Sequence, residues 1–156
     1  MEKLHLYLVR HCESLGNREN IFQGQLDLDI SATGEKQLAL LTLRFRNIPI
    51  DAVYSSPLKR AYKTAEAVDL YHSLPIIKLP ELMEVDVGAL SGMKLDKAFA
   101  DYPVFAEKWQ NSPQNCIFPE GETTAEVYDR AKKALARVKA AVSYTHLRAH
   151  ETLMNL

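Results

Sequence analysis

The first patterned stretch is residues 4–9 (Leu-His-Leu-Tyr-Leu-Val), apolar and β-rich with turn residues after it. A short continuous run of this kind predicts a buried parallel strand. Ser31 then precedes a helical pattern in which Leu38, Leu41 and Phe45 recur on one face, and Pro49 ends it. Residues 51–54 read as a second strand. Ser56 reads as a helix N-cap and Pro57 as the first helical residue, with Leu58, Ala61, Tyr62, Ala65 and Val68 following at helical spacing. Residues 75–79 read as a third strand. Strand–helix–strand–helix–strand predicts an α/β domain with a parallel sheet. Residues 84–121 are irregular, with a short helix near 94–101. A last helix begins at Thr123, where Thr123 and Glu126 form a capping box; Val127, Ala131, Ala134, Leu135 and Val138 continue its apolar face.

A chain of 156 residues suits a single domain with a sizeable core. Its 19 basic and 20 acidic residues nearly cancel, which argues against a nucleic-acid partner. Cys12 and Cys116 cannot build a disulfide scaffold, and no Cys-x-x-Cys pair exists to suggest zinc. No signal-peptide pattern and no apolar stretch of membrane-spanning length occurs, so the expected compartment is the cytoplasm, with no membrane partner.

Ligands of open α/β sheets bind beyond the carboxyl ends of the strands. The first predicted strand runs directly into Arg10-His11-Cys12-Glu13-Ser14-Leu-Gly-Asn17-Arg18. Arginine suits a bidentate hold on phosphate or carboxylate, and a neutral imidazole can act as nucleophile or base. Taken alone, a His-Cys pair here favours a surface turn with a stray histidine over a site.

The longer pattern Leu8-Val-Arg10-His11-Cys-Glu-Ser-Leu-Gly-Asn17 resembles the Arg-His-Gly-Glu-Ser/Thr-x-x-Asn signature of the histidine phosphatase superfamily. Four later blocks continue the resemblance in order: residues 22–37 from Phe22-Gln23-Gly24, residues 55–65 around Arg60, residues 82–92 around Glu84, and Pro119-Glu-Gly121-Glu122-Thr123. The blocks span residues 4 to about 142. The resemblance implies a three-layer α/β domain with a mostly parallel central sheet flanked by helices. It implies hydrolysis of a small phosphorylated metabolite through phosphohistidine at His11. Arg10, Arg60 and Asn17 would hold the phosphate, Gln23 and Gly24 would line the substrate mouth, and Glu84 would protonate the leaving oxygen. No metal and no cofactor is implied. Phosphoglycerate mutase-type transfer is the alternative within the family. Specificity would lie between Glu84 and Glu122, where Phe99, Tyr102, Phe105 and Trp109 read equally well as core.

The residue chemistry is compatible with these roles. Phosphoryl transfer needs positioning and charge, which two arginines can supply. Arg60, in the first turn of its helix, would share that helix's positive end and its free amides. Glu84 would need a raised pKa to donate a proton near neutrality. Without the motifs, Arg60 reads as a solvated helix residue, Asn17 and Gly24 as turn residues, and Tyr62 as packing.

Two departures stand out. Cys12 replaces the usual glycine, and His11-Cys12-x5-Arg18 also matches the loop of cysteine-dependent phosphatases, in which Cys12 would be the nucleophile. Against that reading, Glu13 would place a carboxylate in an anion-binding loop, and Glu19 follows Arg18. Secondly, the family carries another catalytic histidine, followed by Gly-Gly, on a central strand beyond the fifth block. The sequence has none; His146 and His150 lie on a segment without strand character. Their spacing would suit a metal on a helix, but nothing else supports one. Residues 143–156 look foreign to the family and resemble adapter-derived tails. The expectation is a family domain over residues 1–142 lacking a central C-terminal strand, and therefore reduced stability with weak turnover or phosphate binding alone.

Overall fold

The computed structural model describes residues 4–143 and 150–153. Strand β1 (His5–Leu8) leads into a one-turn helix α1 (Leu15–Arg18) and then α2 (Ala32–Phe45). Strand β2 (Val53–Ser55), helix α3 (Lys59–Asp69) and strand β3 (Ile76–Lys78) follow. Two short helices, α4 (Leu95–Asp101) and α5 (Pro103–Asn111), precede the long α6 (Thr124–Ser143) and a strand β4 (His150–Leu153).

Both ladders are parallel. β2 pairs with β3 from Val53↔Ile76 to Ser55↔Lys78, and β1 pairs with β4 from His5↔His150 to Leu8↔Leu153. β4 also lies alongside β2. Alternation along β2 sorts the helical layers, because successive side chains leave opposite faces of a strand. Val53 packs with Phe45, Ala65 and Val68 of α2 and α3, whereas Tyr54 packs with Ala134 and Val138 of α6. The protein is thus an α/β domain whose helices lie on both faces of a small parallel sheet.

Three expectations are corrected. β1 is buried on one face only: Tyr7 and Val9 pack on the Phe45 cluster, while Leu6 and Leu8 on the other face are 37% and 67% exposed. The hydrophobic run reports strand propensity, and burial depends on what later packs over it. Helix α3 starts at Lys59, not at Pro57. Its N-cap, Leu58, makes no side-chain cap, and Asp27 Oδ1 from a distant loop accepts the Lys59 amide at 2.6 Å. One of the amides expected to be free for phosphate is therefore occupied. Residues 150–153 do form a strand, although the tail reads as lacking strand character, and they fill the place beside β1. His150 opens that strand, which removes a helical His146/His150 pair, and His146 itself lies outside the described residues.

Helix α5 is absent from the sequence reading. Pro103 reads as a breaker inside an irregular stretch, but proline is favoured at a first helical position, and Pro103 stands there. The capping box holds: Glu126 accepts the Thr123 amide at 2.8 Å, and Thr123 Oγ1 accepts the Glu126 amide at 3.1 Å. Among the described residues, no helix is long and apolar enough to cross a membrane.

Candidate active site

The carboxyl ends of three strands feed one pocket of about 440 Å³. Arg10 and His11 follow β1, Arg60 follows β2, and Glu84 follows β3. Asn17, Gln23 and Gly24 line the same pocket, so all seven residues implied by the motifs meet there. Trp109 and Phe118 form part of its wall. Phe99, Tyr102 and Phe105 do not line it; they pack in the cluster of Phe22, Val87, Leu90 and Phe118 beneath.

His11 is buried, and its Nδ1 lies 2.5 Å from the Cys12 carbonyl oxygen. A carbonyl can only accept, so Nδ1 carries the proton and Nε2 keeps its lone pair. Burial is the largest cause that lowers the His11 pKa from 6.5 to about 4, and the positive charges of Arg60 and Arg10 lower it further. The bond to Cys12 opposes this without reversing it. The imidazole is therefore neutral at pH 7.

The sign of the resulting pH dependence is fixed. Between pH 6.5 and about 4 the unfolded chain binds a proton at this histidine and the folded chain does not. Acidification through that window is expected to lower the melting temperature, and His11→Asn should remove this component of the pH profile. A pH–stability slope unchanged by the substitution would count against the neutral assignment.

Ser14 organises the neighbouring amides. It caps α1, and Asn17 Oδ1 accepts from the Ser14 amide at 3.0 Å and from its hydroxyl at 2.8 Å. Gln23 Oε1 lies 2.7 Å from the same hydroxyl, whose single proton serves one acceptor at a time. With both carbonyl oxygens turned toward Ser14, the two side-chain NH₂ groups are left as donors at the pocket. Glu13 is turned away: its Oε1 accepts from Ser31 Oγ, the N-cap of α2, at 2.5 Å.

Arg60 is 1% exposed. Its Nη2 donates to the Gly24 carbonyl at 2.7 Å and Nη1 to that of Leu26 at 2.9 Å, while Nε is buried without a partner. Among the described residues, three of its five N–H donors thus have no partner, and Arg60 lines the pocket. Gly24 has φ +48, and a Cβ there would lie 2.8 Å from the Val85 carbonyl oxygen. Only glycine lets this loop approach residues 85–87 so closely. Glu84 is partly buried; its Oε1 accepts the Val85 amide at 3.0 Å.

Cys12 stands apart from this constellation. It does not line the pocket; burial pushes its thiol pKa up, and its amide donates to Thr64 Oγ1 at 3.1 Å. Arg18, the arginine of the alternative loop motif, is exposed and pairs with Glu19 at 3.3 Å. Four further residues shape the site without having been singled out: Ser14, Gln25, Glu122 and Arg130. Ser14, Gln25 and Glu122 sit inside quoted blocks and Arg130 does not; Gln25 Nε2 and Arg130 Nη2 both donate to the Glu84 backbone carbonyl, at 3.2 and 3.0 Å, which no side-chain pattern discloses.

A neutral, buried imidazole, two guanidinium groups and a carboxyl thus share one pocket. The chain belongs to the histidine phosphatase superfamily (branch 1), whose family model matches residues 6–155. It is 40% identical over 134 residues to Phosphoserine phosphatase 1 of Hydrogenobacter thermophilus, covering 86% of this chain and 64% of that one. It is 33% identical to the protein named "Probable phosphoglycerate mutase GpmB" from Erwinia tasmaniensis over 132 residues, or 85% of this chain and 61% of the relative. Among solved structures, Bacillus stearothermophilus YhfR superposes with a TM-score of 0.83 at 28% identity, covering 96% of this chain and 71% of that one. The chain therefore spans somewhat less than two thirds of the length of the first two relatives.

Proposed function

We propose that this chain is a phosphomonoester hydrolase that works through a phosphohistidine at His11. The observation that carries the reading is the fixed tautomer of His11, with Nδ1 held by the Cys12 carbonyl. Nε2 attacks phosphorus, the N–P bond forms, and the ester P–O bond breaks. Glu84 gives its proton to the departing oxygen. Water then attacks the phosphohistidine, Glu84 takes the proton from that water, and inorganic phosphate leaves. Arg10 and the unspent donors of Arg60 balance charge on the phosphoryl oxygens, and the amides of Asn17 and Gln23 complete the cradle. In the first step the imidazole becomes cationic, and the Cys12 carbonyl stabilises that cation.

The buried, raised thiol of Cys12 and the outward Arg18 support a histidine over a cysteine nucleophile. Arg10 and Arg60 bring two positive charges to the pocket. We read residues 1–142 as the family domain and residues 143–156 as an appended segment. The test is a pre-steady-state assay of p-nitrophenyl phosphate with the purified chain and no added metal. A burst of nitrophenolate stoichiometric with protein, followed by slow release of phosphate, is expected. Neither burst nor turnover by a folded chain would leave phosphate binding as its only function. Transfer of phosphate between substrate hydroxyls with little released to water would instead select the mutase reading.

A further inference from the structure

We infer that Arg130 and Glu122 position Glu84 for proton transfer, an inference that rests on the reading of Glu84 as the proton donor. A guanidinium has five N–H donors, and Arg130 spends three of them on the Glu81–Glu84 segment and two on Glu122. Its Nε and Nη2 grip both oxygens of Glu122 at 2.9 and 2.8 Å. Nη1 donates to the carbonyls of Glu81, at 3.0 Å, and of Met83. The remaining Nη2 proton goes to the Glu84 carbonyl at 3.0 Å. Three backbone carbonyls within four residues thus converge on one side chain. That stretch overlaps a single turn of 3-10 helix (Pro80–Leu82), and Gln25 Nε2 adds a second bond to the Glu84 carbonyl at 3.2 Å.

Glu122 closes the brace from the other side. Its Oε2 accepts the Asp86 amide at 2.8 Å, and its own amide donates to the Asp86 carbonyl at 2.9 Å. The Ala89 amide adds a bond to the Pro119 carbonyl at 2.8 Å. Gly121 permits this approach: a Cβ there would lie 2.8 Å from the Gly88 nitrogen and 3.0 Å from the Asp86 carbonyl carbon. The fourth and fifth sequence blocks are therefore the two halves of one clamp, with Arg130 as its pin on α6. Glu84 is fixed by its carbonyl and by the Val85 amide on Oε1, which leaves Oε2 for the pocket. Arg130 touches no reacting atom in this arrangement; it is a positioning residue. Lysine has neither the fork nor the number of donors to replace it.

The first test compares two phosphomonoesters in single turnover. With p-nitrophenyl phosphate the leaving group departs as a stable anion and needs little protonation, whereas an alkyl phosphate needs the acid. General acid catalysis is worth about 10²–10⁴-fold. Arg130→Ala and Glu122→Gln should slow cleavage of the alkyl ester roughly 10²-fold while changing the aryl ester less than about threefold. Arg130→Lys should not rescue it, and Arg130→Ala should add nothing further to Glu84→Gln. Equal losses on both esters would mark a merely structural role and overturn the inference. A Glu84→Gln variant that itself discriminates neither ester would instead sink the reading on which it rests. The second test needs no turnover. Amide hydrogen exchange at Val85 and Asp86 should accelerate at least ~10-fold in Arg130→Ala, with amides of α2 and α3 unchanged. Exchange unaltered at those two amides, or raised uniformly across the chain, would refute the brace.

Discussion

Replacing His11 with alanine is expected to abolish both the nitrophenolate burst and any slower turnover, by about 10⁴-fold or more. Loss of a covalent nucleophile removes the reaction path and not one contact along it. The remaining cradle should survive: Arg60, Asn17 and Gln23 are held by other partners, so inorganic phosphate should still bind. The paired control is Cys12→Ser. Its thiol is buried and outside the pocket, and the bonds that matter run through its backbone carbonyl and amide. That variant should keep the burst within a few-fold. A protein inactivated by Cys12→Ser yet spared by His11→Ala would reverse the assignment of nucleophile. Trapping the phosphoenzyme in wild type and testing its acid lability would distinguish an N–P from an S–P bond directly.

Arg60→Ala should damage stability and chemistry together. The side chain is buried, and its removal leaves the Gly24 and Leu26 carbonyls without their donor and opens a cavity at the base of the pocket. Unpaired buried polar groups and lost packing together cost about 2–4 kcal/mol. For a chain of this size that corresponds to a fall in melting temperature of roughly 5–15 °C. Phosphate affinity should fall as well, because the unspent donors of Arg60 are lost. Arg60→Lys should recover part of the affinity and little of the stability, since one ammonium cannot span two carbonyls in a fork. A phosphate affinity that stays at the wild-type value in either variant would remove Arg60 from the cradle.

The sequence disclosed a good deal of this arrangement, unevenly. Helices α2 and α3 were legible because Leu38, Leu41 and Phe45, and Ala61, Ala65 and Val68, repeat with helical period, and Leu41, Phe45, Ala65 and Val68 share one core. The pocket was legible because the residues implied by the motifs stand in ordered blocks, of which those holding His11, Arg60 and Glu84 follow strands. What escaped was set by partners far away in the chain. The start of α3 depends on Asp27, 32 positions earlier than the amide it accepts. The exposure of Leu8 depends on what covers β1, which a run of apolar residues cannot state. Arg130 reads as one more basic residue on a helix, and its role emerges only when three carbonyls from the Glu84 segment arrive around it. Gly121 and Glu122 were visible as a motif without a role, since the loop they clasp lies some 36 residues away.

The same long reach bears on how the pocket comes into being. Arg60 ties the loop after α1 to the turn after β2 across 34 and 36 positions, and Arg130 ties α6 to the turn after β3 across 46 to 49. None of these contacts can form within a local hairpin, and parallel strands themselves need long crossovers before they pair. Such non-local closures come late and slowly in folding, after their loop entropy has been spent. The proposed cradle draws on residues 10 to 60 and needs α3 docked on the loop after α1, so on that proposal the competence to hold a phosphoryl group is acquired only with this closure, and phosphate binding would report it.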